Sequence, residues 1–249
     1  MRSRGVLLLL LACVGVPAAA TTWGETTVVD PVSGKPCKVP TPASMGSYVY
    51  EWPEKYDQVF FPVTDSAGIW ACESGFVAVI GDIALSASEK LRIATNLTTI
   101  PAAERIPKDI AGKLRRAEAL YLLRDLTPER RALIHRILAY DFEGMAADAD
   151  RAVFHRKAAL EIMLARLADE SLPPATRMEY VFVSANYVRE FGDSARADRL
   201  LSQLEALIAD STGSQAESYA QYLQSLIAPA RSIAPGGRLA PEQAGSPGD

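Results

Sequence analysis

Two hydropathy patterns divide the chain. Over residues 21–85 the apolar positions come in short β-branched and aromatic runs broken by Pro, Gly and Asp, with little helical period. TTWGETTVV, YVYEW (48–52) and QVFFPV (58–63) read as short strands. IWACESGFVAVIG (69–81) reads as two strands around a turn at Ser74-Gly75. From Ser86 the spacing becomes helical. Ser86 and Glu89 form a capping-box pair. In 106–125 the apolar positions Ile110, Leu114, Ala117, Leu120, Tyr121 and Leu123 share one face. Thr127 and Pro128 restart a helix as N-cap and first residue. Further helices are expected over 150–171, 176–191, 194–210 and 214–228, with Pro173 and Pro174 ending the first of these. The expectation is a mainly α protein. A small β-rich, ribbon-like unit (21–85) precedes about six antiparallel helices of 12–20 residues in an array or bundle (86–228). Residues 229–249, rich in Pro, Gly, Ala and Ser, read as a disordered tail.

The first twenty residues stand apart. Arg2 and Arg4 precede an apolar run from Val6 to Val16, then Pro17 and Ala18-Ala19-Ala20. These are the parts of a secretory signal, with cleavage expected after Ala20 and Thr21 as the new first residue. Leu10-Leu11-Ala12-Cys13 also resembles a bacterial lipobox, in which Cys13 would be lipidated and hold the protein at the membrane. The localisation expected is exported, periplasmic or extracellular, with a membrane lipoprotein as the alternative.

Composition narrows the function classes. Hydrophobic residues make up 49% and charged residues 22%, enough for a real core. The net charge is −4. Loss of Arg2 and Arg4 with the signal leaves 24 basic against 30 acidic side chains, or −6. That is not the footprint of a nucleic-acid binder. Export leaves two cysteines, Cys37 and Cys72, and an oxidising compartment favours a disulfide between them. Such a loop is worth roughly 3–4 kcal/mol. The alternative is two buried thiols.

Few residues point to chemistry. His135 and His155 each lie on a helix beside apolar neighbours, in no metal-binding spacing, and read as helix-boundary residues. No phosphate-binding glycine motif or nucleophile elbow occurs, so no cofactor is expected. Asp141, Glu143, Asp148 and Asp150 lack calcium-loop spacing, and Asp148 or Asp150 reads as an N-cap. Tyr48, Tyr50, Trp52, Tyr56, Phe60 and Phe61 crowd the β unit and read as its core, with a partner surface as the alternative. Were there a catalytic site, its carboxylates would be drawn from Asp57, Asp65, Glu73 and Asp82.

Two words carry a resemblance. ANYVREFGDSARADRLLSQLEAL resembles one tetratricopeptide hairpin: Gly192 and Asp193 at the turn, Ala197 at the crossing, Leu201 and Leu204 as packing positions, with Ser194 where a tyrosine is usual. DPVSGKPC (30–37) and WACESGF (70–76) resemble the two knuckles of a zinc ribbon. Asp30 and Ser33 replace one cysteine pair, and the second knuckle keeps only Cys72, with Ser74 in the other place. Together they resemble a bacterial family of uncharacterised proteins with an N-terminal zinc ribbon and tetratricopeptide-like helices. The resemblance implies the ribbon shape without the metal, because one cysteine, one aspartate and two serines do not make a structural zinc site. It also implies that a Cys37–Cys72 bridge stands in for zinc. The function expected is a non-enzymatic interaction or scaffold module whose helical groove takes a protein or peptide. The alternatives are an envelope enzyme with a carboxylate site in the β unit, and a lipid-anchored scaffold.

Overall fold

A computed structural model describes residues 22–236, except 45, 47, 212, 214 and 235. The leader with Cys13 and Ala20, and the tail beyond Gly236, lie outside the described residues. The fold is mainly α with a small N-terminal β unit. No helix among the described residues is long and apolar enough to cross a membrane.

Strands β1 (Thr22–Val29) and β2 (Pro36–Ser44) form an antiparallel hairpin, as do β3 (Ile69–Ala71) and β4 (Val77–Val79). The two turns are built alike. In the first, the Asp30 amide donates to the Lys35 carbonyl and the Gly34 amide to the Asp30 carbonyl, both at 2.9 Å. In the second, the Cys72 amide donates to Phe76 and the Gly75 amide to Cys72, again at 2.9 Å, one residue tighter. Gly75 has φ +90, and a Cβ there would lie 2.6 Å from the Arg105 carbonyl oxygen, so only glycine fits. The turns meet. The Asp30 carboxylate accepts from Ser33 Oγ at 2.6 Å, from the Val32 amide at 2.9 Å and from the Ser74 side chain. Cys37 and Cys72 join the hairpins, their sulfurs 2.13 Å apart, at disulfide distance.

Two expected strands are absent. Residues 52–57 form a short helix, α1 (Trp52–Asp57), because Pro53 lacks the N–H that a ladder needs yet fits a first helical turn. Residues 58–63 run as turns with a cis Phe61–Pro62 bond.

Seven longer helices follow, of 12–18 residues, where about six were expected: α2 (Ala87–Thr98), α3 (Ile110–Tyr121), α4 (Pro128–Gly144), α5 (Ala149–Arg166), α6 (Pro174–Glu190), α7 (Ser194–Asp210) and α8 (Glu217–Ser232). The capping box forms: the Ser86 amide donates to Glu89 Oε2 at 2.7 Å and the Glu89 amide to Ser86 Oγ at 3.2 Å. Thr127 caps α4 through the Arg130 amide at 3.2 Å. Helix α8 runs through Pro229 into the stretch expected to be disordered. The proline costs about 3 kcal/mol in a helix interior. Burial of Leu226, Ile227, Ala230 and Ile233 around it outweighs that cost, at about 1.5–3 kcal/mol per large aliphatic side chain.

Each helix from α3 onward packs on its successor. Helix α6 is central, buried at Met178 and at every residue from Tyr180 to Arg189. Gly192, at φ +93, turns α6 into α7, and Ala197, Leu201 and Leu204 are buried between them. Helix α1 lies across α4 and α6, and Gln58 beyond it reaches the Tyr219 and Tyr222 hydroxyls of α8 at 3.0 and 3.4 Å. The chain's own residues 52–58 therefore cover part of the surface formed by α4, α6 and α8. The apolar core also crosses the 85/86 boundary: Ile93, Leu97 and Leu120 pack with Cys37, Trp70 and Phe76.

A candidate binding pocket between α3, α4 and α5

Helices α4 and α5 are an antiparallel hairpin turned at residues 145–148, where Asp148 caps α5 through the Arg151 amide at 3.2 Å. His135 and His155 each stand ten residues from Met145, so the hairpin sets them opposite each other. Their Nδ1 atoms are 2.9 Å apart, and one N–H donates to the other's lone pair. The His155 ring stacks on Phe142, centroids 5.5 Å apart at 10°, and meets Phe154 edge-on at 5.2 Å. Its Nε2 lies 3.4 Å from Glu118 Oε1 on α3, while Arg151 holds Glu118 Oε2.

This arrangement keeps both rings neutral. Burial, then Arg131, pushes the His135 pKa below its ordinary 6.5. Burial, then His135 and Arg151, pushes that of His155 down to about 3. Burial also raises Glu118, with Arg151 opposing and Asp148 adding to the rise. A histidine with a pKa near 3 is a feeble base at neutral pH, far from the match that proton transfer needs. Among the described residues no group of three or more His, Cys, Asp or Glu is arranged to hold a metal ion.

Beside the histidines lies a cavity of about 200 Å³. Tyr121, Leu122, Leu126, Ile134, Leu138 and Phe154 wall it. Arg131, Ile134, His135 and Leu138 share one face of α4 at helical spacing, which is why one helix supplies both walls and polar groups. Leu122 is 76% exposed and Phe154 59%, both on the cavity lining. Arg124 is committed to Asp82 at 2.8 Å and Glu89 at 3.4 Å, and Glu118 to Arg151. Arg131 is exposed and has no ion pair among the described residues. The charge that remains uncompensated in the pocket is positive.

The expected carboxylates do not share a cleft. Asp57 is buried against Arg156 at 2.9 Å. Asp65 caps a 3₁₀ turn through the Ala67 amide at 2.8 Å and accepts from Trp23 Nε1 at 3.2 Å. Glu73 sits in the second hairpin turn, and Asp82 is clamped by Arg124, by Arg130 at 2.8 Å and by the Tyr121 hydroxyl at 2.9 Å. Those arginines hold Asp82 below the ordinary carboxylate range although burial pushes it up. The 141–150 acids are also dispersed: Asp141 is buried, Glu143 meets Arg156 at 2.6 Å, Asp148 caps and Asp150 is exposed. Trp52 and Tyr56 belong to the helical core rather than the β unit. Tyr48, Tyr50, Phe60 and Phe61 stack in a chain that ends on Trp23. No protein-family model, no curated protein and no solved structure matches this chain.

Proposed function

We propose that this protein is an exported, non-enzymatic binding module that captures a partner protein by one apolar anchor side chain in the α3–α4–α5 pocket. The reading keeps the ribbon and tetratricopeptide-like resemblance as its frame, with the Cys37–Cys72 bridge where zinc would be. It places the partner site at the α3–α4–α5 pocket, away from the α4, α6 and α8 surface that residues 52–58 cover. The observation that carries it is the pair Leu122 and Phe154, large apolar side chains left in water on the lining of one cavity. Size decides the kind of occupant. A cavity of about 150 Å³ takes one benzene ring, and small-molecule sites span roughly 300–1,000 Å³. This pocket, at about 200 Å³, suits a single side chain. The Asp57, Asp65 and Asp82 carboxylates each hold a structural partner, which supports a binding role over a carboxylate enzyme. The test is a photo-crosslinking residue at position 154 in the exporting cell, with position 91 as control, since Leu91 is 69% exposed outside the pocket. A polypeptide adduct is expected from 154 alone, and Leu122→Asp should abolish it. No adduct at 154, or equal adducts from both positions, would overturn the reading.

A further inference from the structure

The pocket's polar groups narrow the partner further, on the binding reading above. Its walls are largely apolar, yet the neutral rings of His135 and His155 and the guanidinium of Arg131 also line it. A site for a purely apolar plug has no use for them. Arg124 and Glu118 are neutralised by Asp82, Glu89 and Arg151. Arg131 is left as a guanidinium in water at the pocket lining, one turn before His135 on the same face of α4. Its field reaches into the site, since it disfavours protonation of His135. The occupant that satisfies both features carries an anionic group within a few bonds of one ring-sized or branched apolar group.

We infer that the pocket binds the C-terminal residue of a partner polypeptide, its apolar side chain in the cavity and its α-carboxylate on Arg131. A terminal residue places a carboxylate one carbon from its own side chain. An internal residue presents a neutral amide at that place. Chain termini are a recurrent handle for recognition, and a guanidinium fork is the geometry that receives a carboxylate. The volume admits Leu, Ile, Met or Phe and does not admit a second large side chain.

The test uses the full exported chain and fluorescein-labelled Gly-Ser-Gly-Ser-Leu and Gly-Ser-Gly-Ser-Phe, each as free acid and as C-terminal amide. Binding is read by fluorescence anisotropy. The free acids should bind, with the amides at least about tenfold weaker. Arg131→Gln should bring the acid down to the level of the amide and leave the amide unchanged. Arg131 is exposed, so this variant should fold. Amides that bind as well as acids would overturn the carboxylate assignment and leave the apolar-anchor reading standing. No binding of either form up to millimolar concentration would overturn both. Displacement by hydrocinnamate at the affinity of the Phe peptide would assign the site to small carboxylic acids and overturn the polypeptide occupant.

Discussion

Arg156 of α5 grips Asp57 of α1 with two parallel hydrogen bonds, Nε to Oδ1 at 3.0 Å and Nη2 to Oδ2 at 2.9 Å, and both side chains are out of water. The Tyr187 hydroxyl donates to the same carboxylate at 2.7 Å. The guanidinium lies over the rings of Tyr56 and Tyr187, 5.3 and 5.9 Å from their centroids, and also meets Glu143 and Glu190. A six-residue helix has no stability of its own. Helix α1 stays on α4 and α6 because this cluster, with Trp52 and Tyr56, holds it there.

Arg156→Met should therefore destabilise the protein by roughly 3–5 kcal/mol, since it strands Asp57 in the core. Arg156→Lys should recover little, because an ammonium cannot make the two-pronged contact. Urea unfolding midpoints give the comparison, and proteolysis after Lys55 reports release of α1. A loss below about 1 kcal/mol for Arg156→Met would show that the cluster does not anchor the segment.

The Cys37–Cys72 bridge closes a loop with a sequence separation of 35. In the chain-entropy account that is worth roughly 4 kcal/mol. It joins a hairpin of two long strands to one whose strands have three residues each, a unit too thin to rely on its own core. Reduction, or Cys37→Ser with Cys72→Ser, should lower the thermal midpoint markedly, and intact mass should show two alkylatable thiols only after reduction. Free thiols in the unreduced protein would remove the bridge from the account.

The helices were legible because their signals are local: Ser86 with Glu89, Thr127 with Pro128, Gly192 with Asp193. Residues 48–63 misled because aromatic and β-branched content also suits an irregular segment that packs through its side chains, and only Pro53 hinted at the first turn of α1. Pro229 misled in the other direction, since its cost is local and the burial that overrides it comes from tertiary packing. The pocket was hidden for a different reason. His135 and His155 look alone in sequence, and only their equal spacing about the Met145 turn marks them as neighbours. Arg131 carries no signal until the partners of the surrounding charges are known.

Asp141 is fully buried, and neither carboxylate oxygen has a hydrogen-bond partner. Burial first, then Asp57, raises its pKa well above the ordinary 3.8. The folded state thus holds a proton that the unfolded state releases, so stability falls as pH rises from about 4 toward the folded value. Asp141→Asn should remove that slope, so that its stability relative to the parent protein is more favourable at pH 7 than at pH 5. Urea midpoints at the two pH values check it, and a difference independent of pH would refute the raised pKa.

The histidine pair has the opposite sign. The pKa of His155 falls from 6.5 in the unfolded chain to about 3 in the folded one, so it contributes stability above pH 6.5 that is lost as pH drops toward 3. His135 shifts the same way. Arg131, Arg151 and Arg124 surround the pair, and Glu118 faces it with only one oxygen unclaimed by Arg151, so a second positive charge there has little compensation. His155→Phe keeps the stacks on Phe142 and Phe154 and removes the titration. Its acid limb between pH 6.5 and 4 should be flatter than that of the parent protein in urea titrations. Imidazole nitrogen shifts in the parent should show His155 unprotonated down to pH 4. Protonation of His155 near pH 6 would mean that the ring reaches solvent and that the pocket floor is more open than the 2.9 Å contact between the two Nδ1 atoms implies.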